Sequence, residues 1–394
     1  MKKRIGILTA GGDCPGLNAA IRGVVRASYH MFDAEIIGIR DGYRGLIEGD
    51  YGLMEKSQFS NILTRGGTIL GTSRTPFSQM RGPNSQGFDK IGEMKRNYKQ
   101  MKLDCLVTLG GNGTHKTAAL LAEEGLNVIG LPKTIDNDIA GTDFTFGFHT
   151  AVEIATDVVD RIHTTADSHG RVMVIELMGN KSGWLTLYAG VAGGADVILL
   201  PEFPYHINKV AEVVNERILQ KKFFTIICVA EGAMDLEESE MKKKKREEAR
   251  AQSPYNSISH RIALQLQEIC GVEARTVIPG HVQRGGTPCA YDRVLSTEFG
   301  THAARMIKED QYGVTMAVRG RDQLAGRVGA GDHVIGQDAG QGGLVLRLEQ
   351  GFHRALRQFR ERLVGGGEHG ERALPGKRVH QPRGLQRGHQ GAQV

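Results

Sequence analysis

The chain alternates short apolar runs with longer stretches of helical spacing. Arg4 to Leu8 is apolar and stops at a Gly-rich turn, and Asn18 to Met31 then repeats apolar residues at helical intervals. Ala34 to Ile39 reads as a second strand, followed by Asp41-Gly42-Tyr43-Arg44-Gly45. Cys105 to Leu109 reads as a third, closed by Gly110-Gly111-Asn112-Gly113-Thr114, with His115 to Glu124 helical behind it. Asn127 to Leu131 is a fourth, running into Pro132-Lys133-Thr134-Ile135-Asp136-Asn137-Asp138. In the second half, Thr150 to Ala166 reads as a long helix, Arg171 to Glu176 as a strand and Lys181 to Ala192 as a helix. Val197 to Leu200, Phe224 to Ala230 and Arg275 to Ile278 are further strands. Such alternation predicts an α/β fold of mainly parallel sheets covered by helices. Ligands of such sheets bind at the C-terminal ends of strands, where most of the Gly, Asp, Asn, Lys and Arg clusters fall.

Length supports two domains, each with its own core: 394 residues, 40% of them hydrophobic and 24% charged. No run approaches the roughly 18 apolar residues of a spanning helix. Met1-Lys2-Lys3-Arg4 leads into a strand, not into the apolar region of a signal peptide. Cys14, Cys105, Cys228, Cys270 and Cys289 form no CxxC pair, which predicts reduced, mostly buried thiols in a cytoplasmic protein.

The net charge of +6 lies wholly in the tail, where 12 Arg and 1 Lys between Arg319 and Val394 face 3 Asp and 4 Glu. The body is neutral and has no basic stripe with interleaved aromatics, so neither nucleic acid nor membrane is an expected partner. Lys242 to Lys245, with Arg246 and then Glu247-Glu248, reads as a solvated helix turn. The tail contains no Ser, Thr, Asn, Cys, Met, Trp or Tyr. That switch reads as a coding sequence translated out of frame from about Val318, the other reading being a Gly/Arg-rich disordered appendage. No packed fold is expected there beyond a short helix around Phe352 to Leu363.

Gly11-Gly12-Asp13 follows a strand and precedes a helix, so its amides can approach a phosphate; a plain strand–helix turn explains it as well. Gly110 to Thr114 ends another strand in the same way, and two such loops suit an extended multi-phosphate ligand. Arg74, in a loop, suits a charge clamp on a phosphoryl group, although an isolated arginine is more often a surface residue. In Thr134-Ile135-Asp136-Asn137-Asp138, two carboxylates after a buried strand repel each other unless a cation or a proton transfer uses them. An Asx-turn or helix cap accounts for part of Asp138, whereas Asp136 suits a general base toward an attacking hydroxyl. Arg171 and the loop Gly280-His281-Val282-Gln283-Arg284-Gly285-Gly286 suit a sugar phosphate, with Glu231 on its hydroxyls. Taken singly, each is as easily a solvated loop residue.

Taken in order, Gly11-Gly12-Asp13-Cys14-Pro15-Gly16-Leu17-Asn18, Gly66-Gly67-Thr68, Gly110 to Thr114, Pro132 to Asp138, Met178-Gly179, Ala192-Gly193-Gly194 and the His281 loop resemble the motifs of the 6-phosphofructokinases. The resemblance runs from Lys3 to about Val318. It implies phosphoryl transfer from ATP, with Mg²⁺, to the 1-hydroxyl of fructose 6-phosphate, in a homodimer or homotetramer. It also implies an ATP-binding domain over 1–147 plus about 283–318 and a sugar-binding domain over 148–282, two similar domains, before the aberrant tail 319–394. By this resemblance Gly12, Arg74, Thr75, Gly111, Asn112, Gly113 and Thr114 line the ATP site. Asp136 is the base, with Thr134 and Ile135 beside it. Met178, Gly179, Asn180 and Glu231 hold the sugar, and His281, Val282, Gln283 and Arg284 complete the pocket. Arg171 and Arg275 reach the sugar phosphate of a neighbouring subunit.

Three departures from the family pattern matter. Asn112 stands where the family usually has an aspartate taken as a magnesium ligand; an amide oxygen can still coordinate, without the charge, and Asp138 is the other candidate. Asn180 stands where many ATP-dependent members carry an arginine. Gly113 resembles ATP users, because a small residue leaves room for the α-phosphate, while Lys133 resembles pyrophosphate users and some ATP users. Steric room favours ATP, with pyrophosphate as the alternative. A non-catalytic phosphate-binding protein is the reading from another class, because the family's last strand and helix are not recognisable beyond residue 318.

Overall fold

Eleven strands among the described residues build two sheets. The computed structural model describes residues 2–81, 89–320 and 322–327. In chain order the strands are β1 Lys3–Thr9, β2 Ala34–Ile39, β3 Tyr51–Met54, β4 Cys105–Gly110, β5 Val128–Pro132, β6 Val172–Leu177, β7 Val197–Leu199, β8 Thr225–Ala230, β9 Ala274–Val277, β10 Val314–Arg319 and β11 Asp322–Arg327. The first sheet runs β11-β10-β5-β4-β1-β2-β3, parallel except for its two edge strands. The second runs β7-β8-β6-β9 and is wholly parallel.

The two-residue period of a strand sorts the side chains into layers. Ile7, Ile36 and Val107 face a central core, while Leu8, Ile37 and Leu106 face an outer one. In the second sheet Met173, Ile175 and Ile226 point to that same central core, and Val174, Ile227 and Val229 to a third cluster. The expectation of a separate core for each domain is therefore corrected: each sheet has its own outer core, and the two share the middle one. The reason is the helix Phe148–His169, whose buried Phe148, Ala151, Ala155 and Val159 belong to the shared cluster. Its first turn is fixed by the fully buried Asp292, which accepts from the Thr150 amide at 2.8 Å and from its hydroxyl at 2.5 Å.

The expected strands are present, and the helices run a few residues beyond or short of their expected ends. The Asn112–Glu123 helix begins three residues before His115, and the one expected from Lys181 begins at Trp184. Strand pairing also continues past Val318, since β10 reaches Arg319 and pairs antiparallel with β11 through Arg327. Arg319 and residues 322–327 thus belong to the first sheet and not to an unstructured tail; the expected helix near Phe352 lies outside the described residues. The basic run forms the helix Lys243–Ala251, which buries none of its residues. All five cysteines are free, three of them buried. No helix of the described residues is long and apolar enough to cross a membrane.

Candidate active site

The ends of β1, β4 and β5 meet at one edge of the first sheet. Gly12 follows β1, Gly111 caps the Asn112–Glu123 helix after β4, and Lys133 follows β5. The ammonium of Lys133, buried to 3% exposure, donates to the Gly12 carbonyl, and burial lowers its pKa. Two guanidiniums approach the same turn. Arg284 Nη1 lies 3.0 Å, and Arg74 Nη2 3.4 Å, from where a Cβ on Gly12 would stand. Arg284 Nη1 also donates to the Asp13 carbonyl at 3.2 Å. Three cations thus ring one glycine turn, which suits an anion with several charges.

Close backbone packing brings Arg284 there. A Cβ on Gly66 would sit 2.1 Å from the Gly286 carbonyl oxygen, so the Gly66-Gly67-Thr68 loop and the Arg284 loop touch only because that residue is glycine. Asn18 holds the same loop: its amide donates to the Arg65 carbonyl at 3.0 Å and its oxygen accepts from the Ile69 amide at 2.9 Å. Sequence reasoning gave Asn18 no structural role, because its partners lie 47 to 51 positions away and leave no local pattern.

Asp136 sits on the loop behind Lys133, 9% exposed, and its Oδ1 has no hydrogen-bond partner. Burial, then the nearby Asp138 carboxylate, push its carboxyl above the usual range, while Arg284 and Lys133 pull it back. The loop is held by Asn137 in left-handed geometry (φ 49°), whose side chain accepts from the Thr145 amide at 2.9 Å and donates to the Asp143 carbonyl at 3.1 Å. Asparagine tolerates that conformation, which explains its position between two aspartates. The Thr145 hydroxyl in turn donates to the Thr134 carbonyl at 2.8 Å. Thr134 and Ile135 are buried beside Asp136, whose amide donates to the Thr134 hydroxyl at 3.1 Å. Asn112 and Gly113 are exposed in the first helical turn, and nothing lies within 4 Å of a Cβ built on Gly113. Thr114 is buried, and Thr75 follows the exposed Arg74 in its loop.

The second sheet contributes the ends of β6 and β8. After β6 come Met178, Gly179 and Asn180; after β8 comes Glu231, whose Oε1 accepts from the Asn180 amide at 2.7 Å. The buried Gln283 links this group to the Arg284 loop, its Oε1 accepting from the Met178 amide at 3.3 Å. His281 and Val282 are exposed on the same short helix, Gly280–Arg284. The expected donor and acceptor residues therefore converge, Arg284 and Gln283 being the bridge between the two sheets.

Arg171 and Arg275 do not converge with them. Arg171 precedes β6 and Arg275 is the second residue of β9, so both stand at the N-terminal edge of the second sheet. At about 3.3 Å per residue, that edge is roughly 20 Å from Met178 along β6. There both pair with Glu273, at 2.9 Å and 2.6 Å. No group of three or more His, Cys, Asp or Glu among the described residues could cage a metal ion.

Residues 4–307 match the family model described as phosphofructokinase. An ATP-dependent 6-phosphofructokinase from Spirochaeta thermophila is 54% identical over 326 residues, 82% of this chain and 89% of that protein. A pyrophosphate–fructose 6-phosphate 1-phosphotransferase from Amycolatopsis methanolica is 45% identical over 320 residues, 81% of this chain and 91% of the other. The solved structure of phosphofructokinase from Saccharomyces cerevisiae superposes with a TM-score of 0.71 at 31% identity, covering 83% of this chain and 45% of that one. Fold, motifs and relatives agree: the chain belongs to the phosphofructokinase family.

Proposed function

We propose that the protein transfers the terminal phosphoryl group of ATP to the 1-hydroxyl of D-fructose 6-phosphate, giving fructose 1,6-bisphosphate, the committed step of glycolysis. The observation that carries this reading is the unpartnered Oδ1 of Asp136 beside a turn ringed by Arg74, Lys133 and Arg284. As the sugar oxygen attacks the terminal phosphorus, the bond from that phosphorus to the departing ADP breaks. The hydroxyl proton passes to Asp136, whose raised pKa makes it a stronger base than a free carboxylate. The charge spreading over the transferred group meets the guanidiniums of Arg74 and Arg284, held in place before the reaction. Gly12, Thr75 and Gly111 to Thr114 receive the nucleotide at a helix N-terminus. Thr134, Ile135, Met178, Gly179, Asn180, Glu231 and His281 to Gln283 line the sugar. Residues 1–147 with about 283–318 then form the donor domain and 148–282 the acceptor domain.

Mg²⁺, once bound with ATP, would withdraw charge from the phosphate oxygens. The exposed Asp138 carboxylate fits an open site completed by those oxygens and by water, which leaves Asp136 free to act as base. Asn112 turns its NH₂ toward Asp138, so in this arrangement it does not share an ion with that carboxylate. Arg171 and Arg275, too distant to serve their own Glu231, suit the sugar phosphate of a second copy, which supports a homo-oligomer. Five free thiols suit the reducing cytoplasm.

Pyrophosphate as donor is the second reading, favoured by the Lys133 ammonium on the Gly12 turn. Open space at Gly113 favours the larger nucleotide. A coupled assay of fructose 1,6-bisphosphate formation with each donor decides. Product with ATP is expected, product with pyrophosphate alone selects the second reading, and none with either overturns both.

A further inference from the structure

The turn that carries Glu231 is gripped from outside the site. The Glu231 amide donates to the Leu177 carbonyl at 2.9 Å while its carboxylate accepts from Asn180. Gly232 follows so closely that a Cβ there would lie 2.0 Å from the Asn180 carbonyl oxygen. One residue on, the Ala233 carbonyl accepts from Arg250 Nη2 at 2.6 Å. The same guanidinium forks onto Glu238, Nε to Oε1 and Nη2 to Oε2, both at 2.9 Å. Glu238 is 6% exposed and also accepts from Arg261 Nη2 at 3.1 Å; Arg261 in turn donates to the Tyr205 hydroxyl at 2.9 Å. Arg250 lies on the Lys243–Ala251 helix, which buries no residue of its own, so its hold on the body is polar: Arg250, and Arg246 Nη1 on the Glu238 carbonyl at 3.2 Å. A forked charge pair fixes orientation as well as distance, and loss of one arm leaves a buried carboxylate short of a partner.

We propose that Arg250 is a positioning residue for the acceptor half of the site, holding the Glu231–Ala233 turn through Ala233 and Glu238 so that the Glu231 carboxylate is presented to the sugar. The inference rests on the reading of Glu231 as a ligand of sugar hydroxyls. It assigns the exposed basic helix a task at the site: a strap held by Arg246 and Arg250, of which Arg250 alone reaches the Glu231–Ala233 turn.

The test uses the full chain and both substrates. Arg250→Met should raise the KM for fructose 6-phosphate about tenfold, with kcat and the KM for ATP changed by no more than about twofold. Arg250→Lys, which keeps the charge but loses the fork, should recover part of that affinity. Glu231→Gln should raise the same KM, and adding Arg250→Met to it should change little more. A normal KM in Arg250→Met beside a raised one in Glu231→Gln, or effects that simply multiply, overturns the positioning role. A normal KM in Glu231→Gln instead sinks the reading of Glu231 itself. Should Arg250→Met not fold, Arg250→Lys decides: a raised KM at unchanged kcat supports the role, and unaltered constants overturn it.

Discussion

The side-chain amide of Asn112 donates to the Asp138 carboxylate at 2.9 Å and to its backbone carbonyl at 3.1 Å. This contact ties the first turn of the helix after β4 to the loop that carries Asp136, and it neutralises none of the negative charge on that loop. Asn112→Asp would set two carboxylates against each other with no donor between them, a repulsion that a divalent cation relieves. We expect the Mg²⁺ needed for half-maximal activity to fall about fivefold in the variant, and its melting temperature without Mg²⁺ to drop. A magnesium titration of activity checks the first expectation, and melting curves with and without the ion check the second.

Asp136→Asn should cut kcat about 10²–10⁴-fold, with the KM for fructose 6-phosphate changing far less. Burial and the neighbouring Asp138 raise the Asp136 pKa, so activity should fall on the acid side through a pKa above the usual carboxylate range. Removing the Asp138 charge with Asp138→Asn takes away one cause of that rise. The acid limb should then move to lower pH, and a limb that stays put would separate Asp138 from the tuning of the base.

Much of this site was legible because the strands are buried on both faces. Ile5 to Leu8 and, but for Thr108, Cys105 to Leu109 are apolar runs for that reason, and the residues just after each run line the candidate site. The Ala290–Lys308 helix was not read, and its packing explains why. It buries Asp292, Ser296, Gly300, Ala303 and Ala304 alongside Leu295 and Phe299, so small and polar residues hide the apolar stripe. Lys90–Gln100 escaped for a related reason, burying only Met94, Asn97 and Tyr98. The grip of Arg250 on Glu238 and Ala233 spans 12 and 17 positions and leaves no local pattern. Arg171 and Arg275 were each read as the first residue of a strand, but only the pairing of β6 with β9 fixes that both stand at the edge away from Glu231.

Gly113→Asp tests the donor. A Cβ at Gly113 meets nothing within 4 Å, so the carboxylate costs the fold little and acts on the ligand alone. It would occupy the room and oppose the charge of a nucleotide α-phosphate. ATP-dependent turnover should collapse by about 10²-fold or more, while any pyrophosphate-dependent activity survives or rises. Unchanged ATP kinetics would mean that the nucleotide does not pass this helix end.

Subunit mixing tests the origin of the two distant arginines. On the proposed reading, Arg275→Ala would remove a phosphate ligand from a partner's site, whereas Asp136→Asn would disable the chain's own. Each variant alone should be nearly inactive, but a hybrid assembled from both contains one site with every group intact. Refolding the two together should therefore restore up to about a quarter of the original activity, the share expected for random pairing in a dimer with shared sites. Recovery no greater than the sum of the separate variants would show that each chain completes its own site.

His115 links the donor helix to the fold's acid stability. Its ring is 5% exposed, lies against Gly130 of β5, and contacts the Thr315 hydroxyl of β10 at 3.2 Å. Burial holds its pKa at about 4, well below the ordinary 6.5 of an exposed imidazole. The unfolded chain therefore takes up a proton that the folded chain refuses. Stability owed to the neutral ring is complete above pH 6.5 and is lost as pH falls from 6.5 toward 4, by on the order of 3 kcal/mol if the whole shift is expressed. His115→Asn, which has no charge to gain, should have lower stability at pH 7.5 because the packing is poorer, yet a flatter decline on acidification. Denaturant unfolding at pH 7.5, 6 and 5 reads both slopes, and parallel declines in the two proteins would show that other groups carry the acid sensitivity.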